Sequence, residues 1–139
     1  MEITANAVQT VQANQNVLFT ETAVCGSNSI IHREGSGLTT LKGITNQCRA
    51  RFKIFFSGNV AIPTGGTVDS ISLAIAVDGE PMSSTTMITT PAAVEQYSNI
   101  ATAIYLHVPC GCCSKISVVN IGEEEIEIQN ANLIIERVA

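Results

Sequence analysis

His107, Cys110, Cys112 and Cys113 are the residues of this chain whose types and spacing best suit chemistry. Imidazole and thiolate are the ligands that zinc and iron take most readily, so a metal centre is the first possibility. The spacing argues against it. Structural zinc sites draw pairs of nearby cysteines from two separate places in the chain, whereas Cys112 and Cys113 are adjacent and their side chains diverge. Two other readings stand beside the metal. The cysteines could be small hydrophobes or free thiols in a crowded loop, or one of them could pair with Cys25 or Cys48 in a disulfide. The total of five cysteines is odd, so the chain is not a fully paired disulfide framework. The expectation is mostly reduced thiols, with no metal needed for folding.

Residues for catalysis are not assembled by any recognisable motif. His32 and His107 are the only histidines, and no Gly-x-Ser-x-Gly elbow supplies a nucleophile. Asp69 and Asp78 flank a strand and read as turn acids rather than a paired acid and base. Gly65-Gly66, after Pro63-Thr64, lacks the lysine of a phosphate loop. The expectation is a protein that is not an enzyme and carries no cofactor. An aromatic sugar platform has little to build on: the chain holds no Trp, two Tyr and four Phe. Tyr97 and Tyr105 fit an intersubunit contact at least as well.

The elements that would position these residues read as β throughout. In Gln47–Phe56, Cys48, Ala50, Phe52, Ile54 and Phe56 alternate with Gln47, Arg49, Arg51 and Lys53, and Phe55 interrupts the polar face. In Ser70–Asp78, Ile71, Leu73, Ile75 and Val77 face one way and Ser70, Ser72, Ala74 and Ala76 the other. Asp78-Gly79-Glu80-Pro81 is a hairpin signal, and a Ser/Thr-rich strand is expected over Met82–Thr89. Gln96–Val108 sets Ile100, Thr102, Ile104, Leu106 and Val108 against Tyr97, Asn99, Ala101, Ala103, Tyr105 and His107. Lys115–Ile121 and Ile126–Val138 follow, with a bulge or turn at Asn130-Ala131-Asn132. Asn16–Thr22, Ser29–Arg33 and Leu38–Leu41 read as short strands. Met1–Gln15 is either an N-terminal arm or a first strand. Many short strands with Gly/Asn turns predict a two-sheet sandwich or jelly roll as one domain of 139 residues. Its core should hold Phe52, Ile54, Phe56, Ile71, Leu73, Ile75, Ile100, Ile104 and Leu106.

Charge and composition restrict the partners. The net charge is −5, and of seven basic residues only Arg49, Arg51 and Lys53 cluster, so nucleic acid is not expected. A solvated sheet face balanced by acids such as Glu136 accounts for that triplet. No apolar run approaches a membrane span, and Met1–Asn16 lacks the pattern of a secretory leader. Hydrophobic residues make up 45% and charged residues 14%, against about a quarter charged in an average domain. So little charge predicts a surface partly covered by copies of the chain.

The stretches Asn16-Val17-Leu18-Phe19-Thr20, Cys48-Arg49-Ala50-Arg51-Phe52-Lys53-Ile54, Ser72 to Glu80 and Asn132-Leu133-Ile134-Ile135-Glu136-Arg137 carry a resemblance. In order and spacing the chain resembles the tumour-necrosis-factor-like and complement-globular-head superfamily of jelly rolls, in its bacterial or phage branch. That resemblance implies an all-β homotrimer with one sheet facing the axis. The small and aromatic residues Tyr97, Tyr105, Ala74, Ala76 and Ala103 are expected at or near that axis. Bacterial domains of this kind cap collagen-like spore-surface fibres, but no Gly-x-y repeat is present here. The expected function is therefore a structural virion protein of a bacteriophage, a capsid decoration or head-fibre subunit, with a capsid protein as partner. A surface adhesion module, on a spore or toward a host glycan or protein receptor, is the alternative.

Overall fold

The structure is a computed structural model that describes all residues from Met1 to Ala139. Its elements are β1 (Glu2–Ala5), β2 (Gln9–Val11), β3 (Glu21–Val24), β4 (Ile30–His32), β5 (Thr39–Lys42), β6 (Arg49–Ala61), β7 (Ile71–Val77), β8 (Glu80–Pro81), a 3₁₀ turn (Ser83–Thr85), β9 (Met87–Thr89), β10 (Ser98–Pro109), β11 (Cys113–Asn120) and β12 (Ile126–Arg137). They form two antiparallel six-stranded sheets. The first runs β10-β6-β12-β1-β3, with β2 also on β12; the second runs β4-β5-β11-β7-β8, with β9 also on β7. This is the all-β, two-sheet sandwich that the alternation predicts.

Alternation builds the sandwich because successive side chains on a strand point to opposite faces. One cluster of 26 buried residues lies between the sheets. Phe52, Ile54, Phe56, Leu73 and Ile75 are fully buried, and Ile71 and Ile100 nearly so. Ile104 and Leu106 are corrections to the expected core, because they are only partly buried and pack at its margin. Both lie on β10, an edge strand, where the inward face is covered from one side alone.

Local sequence explains most element ends. Asp78 and Gly79 both have positive φ, 52° and 89°, which is the tight hairpin geometry that joins β7 to β8. The strand expected over Met82–Thr89 is interrupted by the 3₁₀ turn. There Thr85 Oγ1 accepts from the Ile75 amide at 2.9 Å and donates to the Met82 carbonyl at 2.7 Å, so a side chain stands in for a ladder partner on β7. The strand expected at Asn16–Thr22 is also displaced. Val17 and Phe19 are buried, but apart from a bridge of Asn16 to Val119 the segment is a connector, and β3 begins at Glu21.

Of the two readings of Met1–Gln15, the structure has strands. β1 lies between β12 and β3, with Ile3 fully buried, and β2 pairs with β12. Removing residues 2 to 14 would take β1 and β2 from the first sheet and leave β3 without its partner, so these residues are not a free arm.

The packing generates a ranked prediction. Phe56→Ala empties a fully buried site and should cost about 3–5 kcal/mol of unfolding free energy. Ile104→Ala, at the edge, should cost about 1 kcal/mol. Urea denaturation of both variants checks this ranking, and equal losses would mean that β10 is as enclosed as β6.

Candidate functional site

The residues singled out for metal chemistry do not converge. His107 stands exposed on the outward face of β10, opposite Arg51 on β6. Cys110 and Cys112 lie in the turn after β10, and Cys113 opens β11. No three His, Cys, Asp or Glu side chains come close enough to hold a metal ion. All five cysteines are free and exposed, so they are not buried hydrophobes. They do share one end of the sandwich, where β3 ends, β6 begins and β10 turns into β11. Lys42, Arg49, Arg51, Lys53, Lys115 and Arg137 lie in that same half. Asp69, Glu95, Glu123, Glu124, Glu125 and Glu127 lie toward the other end, while Asp78 and Glu136 stand among the cations, beside Lys115 and Lys53.

The residues expected at a subunit axis separate into two groups. Ala103 and Tyr105 point outward from β10, and Tyr97 immediately precedes that strand in the same sheet. Ala74 and Ala76 lie apart from these three. They sit on β7 in the second sheet at 0% and 2% exposure, opposite Val119 and Ser117 of β11. β7 has strands on both flanks, and Ala74 and Ala76 belong to the sheet that does not contain β10. They cannot share a surface with Tyr105.

The register places different residues beside Ala103. Phe55 is its partner on β6, and Ile134 is the partner of Phe55 on β12. The row continues through Glu2 on β1 to Val24 on β3. Ile134 is 37%, Val24 55% and Tyr105 64% exposed. The row, apolar apart from Glu2, lies on the side of the sheet turned away from the core. One signal for it was available in the sequence: Phe55 is the residue that breaks the polar face of its strand.

Around this row the face is polar. Lys53 pairs in register with both Tyr105 and Glu136, and Asn99 Nδ2 donates to Asn59 Oδ1 at 3.1 Å. The Tyr97 hydroxyl donates to Glu127 Oε2 at 3.0 Å. Burial first, then this hydrogen bond and the charges of Glu127 and Glu95, raise the Tyr97 pKa above its ordinary value of 10.0. Arg51, Tyr105, His107 and Val138 line a shallow open cleft at the cysteine end.

No protein-family model matches the chain, and no curated protein matches it in sequence. Solved structures do match in shape. The globular domain of zebrafish complement 1qA superposes with a TM-score of 0.64 at 12% identity, covering 96% of this chain and 93% of that one. Eiger TNF from S. frugiperda gives 0.70 at 8% identity, covering 100% and 92%. Murine APRIL gives 0.57 at 9% identity, covering 92% and 97%.

Tyr97 supplies a pH prediction. Its raised pKa means that the folded state favours the neutral phenol. The stabilisation is complete below the ordinary value and is lost as pH rises through the raised one. Glu127→Gln should lower the Tyr97 midpoint toward 10.0, as read by phenolate absorbance, and should reduce the stability lost when Tyr97 ionises at high pH. An unchanged midpoint would show that Glu127 has no hold on the phenol. By its likeness to these solved structures, the chain has the jelly-roll fold of complement globular heads and tumour necrosis factors.

Proposed function

We propose that this chain is a non-catalytic homotrimer that serves as a structural virion protein, a capsid decoration or head-fibre subunit of a bacteriophage. The observation that carries the self-association is the outward apolar row Ala103–Phe55–Ile134, flanked by Tyr105. Its residues are exposed or half-buried in the protomer, and a second copy would remove them from water at about 25 cal/mol for each Å² of apolar area. The superfamily resemblance implies a trimer with one sheet facing the axis, and the first sheet is the one with such a face. Tyr97, Tyr105 and Ala103 then lie at or near the contact, joined by Phe55 and Ile134.

The virion role rests on symmetry and on the poverty of chemistry. A trimer fits the threefold and quasi-threefold positions of an icosahedral shell. There one particle can touch three capsid subunits and gain avidity from weak individual contacts. The attachment surface belongs to the exposed ends of the sandwich, because the N-terminal residues are strands. The alternative, an adhesion module on a spore or toward a host receptor, draws its support from the cleft of Arg51, Tyr105, His107 and Val138, where an aromatic ring lies beside basic groups.

Light scattering on the purified protein should give three times the protomer mass of 14.7 kDa. Ile134→Glu places a charge in the row and should yield a folded monomer with the circular dichroism of the parent. A parent that is monomeric at micromolar concentration would overturn the trimer. Co-sedimentation with empty phage shells tests the partner. Binding to glycans and to no shell would move the assignment to the adhesion module.

A further inference from the structure

Two of the exposed thiols are set opposite each other by the backbone. Arg49 faces Pro109 at the end of the β6–β10 ladder, and one step further the Cys110 amide donates to the Cys48 carbonyl at 2.9 Å. Directly opposed residues of an antiparallel pair send their side chains to the same side of the sheet. Their Cα atoms lie about 5.5 Å apart when the pair is hydrogen-bonded, which is within the roughly 4.4–6.8 Å that a disulfide spans.

The surrounding chain holds this arrangement. The Gly43 amide donates to the Cys112 carbonyl at 2.8 Å, and the Gly111 amide to the Gly43 carbonyl at 3.0 Å. The approach is so close that a Cβ on Gly43 would fall 2.0 Å from the Pro109 carbonyl oxygen. Cys110 Sγ already reaches across to the Thr45 carbonyl at 3.2 Å, in the loop that leads to Cys48.

The other thiols are poorer partners. Cys25 follows β3, the far edge of the same sheet, four strand spacings from β10, or about 19 Å. Cys112 and Cys113 are neighbours in sequence, and a ring closed between adjacent residues is strained. Cys113 lies in the second sheet opposite Lys42.

We propose that Cys48 and Cys110 are a modification site that closes to an intrachain disulfide on contact with a low-molecular-weight disulfide such as oxidised glutathione. One cysteine thiolate attacks a sulfur of the small disulfide, forming a mixed disulfide and releasing one thiolate. The second cysteine thiolate then attacks the protein-side sulfur and releases the other. The protein loses two electrons and two protons, and the small disulfide becomes two thiols. The bond ties the Gly43–Cys48 loop to the β10–β11 turn. Being exposed, it belongs to the readily reduced class, so the staple is reversible.

The test uses the full-length reduced protein incubated with oxidised glutathione. The product should lose two hydrogens in mass and retain no glutathione. Trypsin without reductant should then leave the Gly43–Arg49 fragment linked to the Ile54–Lys115 fragment. The melting temperature should rise by about 10–15 °C, because the closed loop is long. Cys48→Ser and Cys110→Ser should each abolish the link, whereas Cys112→Ser and Cys113→Ser should keep it. Persistence of the link in Cys110→Ser, stable single-cysteine glutathione adducts, or bonds formed only between molecules would each overturn the proposal.

Discussion

The first sheet depends on β12, a strand that has to satisfy three others at once. On one side it pairs with β6 along nearly its whole length. On the other side its first half pairs with β2 and its second half with β1. The two halves differ in register, and the shift falls between Gln129 and Asn132, where Asn130 has φ 55°. Asparagine tolerates that left-handed conformation better than most residues. The extra residue lets Ile126, Ile128, Leu133 and Ile135 all reach the core although they lie on either side of the irregularity. Without it, one half of the strand would turn its apolar face to solvent.

A second constraint is polar. Asn120 is fully buried at the end of β11. Its amide donates to the Val11 carbonyl at 3.2 Å and the Glu124 carbonyl at 2.9 Å, and its oxygen accepts from the Gly122 amide at 3.0 Å. One side chain thus joins β2 to the turn that carries the chain from the second sheet back to the first. A buried amide is stable only when its groups are paired, so this contact fixes where β12 begins. Sandwich closure is therefore specified by a few directional bonds superimposed on non-directional apolar packing.

Much of this architecture was legible in the sequence, because period-two patterning states which side of each long strand faces inward. Phe52, Ile54, Phe56, Leu73 and Ile75 are buried as read, and the irregularity at Asn130-Ala131-Asn132 is where the polar residues interrupt an apolar run. What the pattern does not state is which strands share a sheet. Ala74 and Ala103 have the same local signature, yet they lie in different sheets, one screened and one open. Strand neighbours come from long-range pairing, and no local pattern encodes it. The same limit explains the marginal burial of Ile104 and Leu106, since edge position is a property of the sheet and not of the strand. Which cysteine of the Cys110–Cys113 group faces Cys48, and whether Cys25 does so instead, was left open for this reason too: Cys48 and Cys110 are 62 positions apart and meet only through register.

The placing of charge along the strands has a consequence for how the molecule meets a surface. Six cations in the cysteine half outnumber the carboxylates of Asp78 and Glu136 beside them, and Asp69, Glu95, Glu123, Glu124, Glu125 and Glu127 lie toward the other end. This uneven distribution gives the protomer a dipole with a component along the strands. When identical protomers are arranged about a rotation axis, the transverse components of their dipoles cancel and the axial components add. A cyclic assembly would therefore carry one amplified axial dipole, with chemically different ends. In the field of a charged surface such a particle turns before it touches, and it arrives with the same end foremost each time. Added salt shortens the range over which that turning acts, so orientation on approach becomes a function of ionic strength even when the final contact is not.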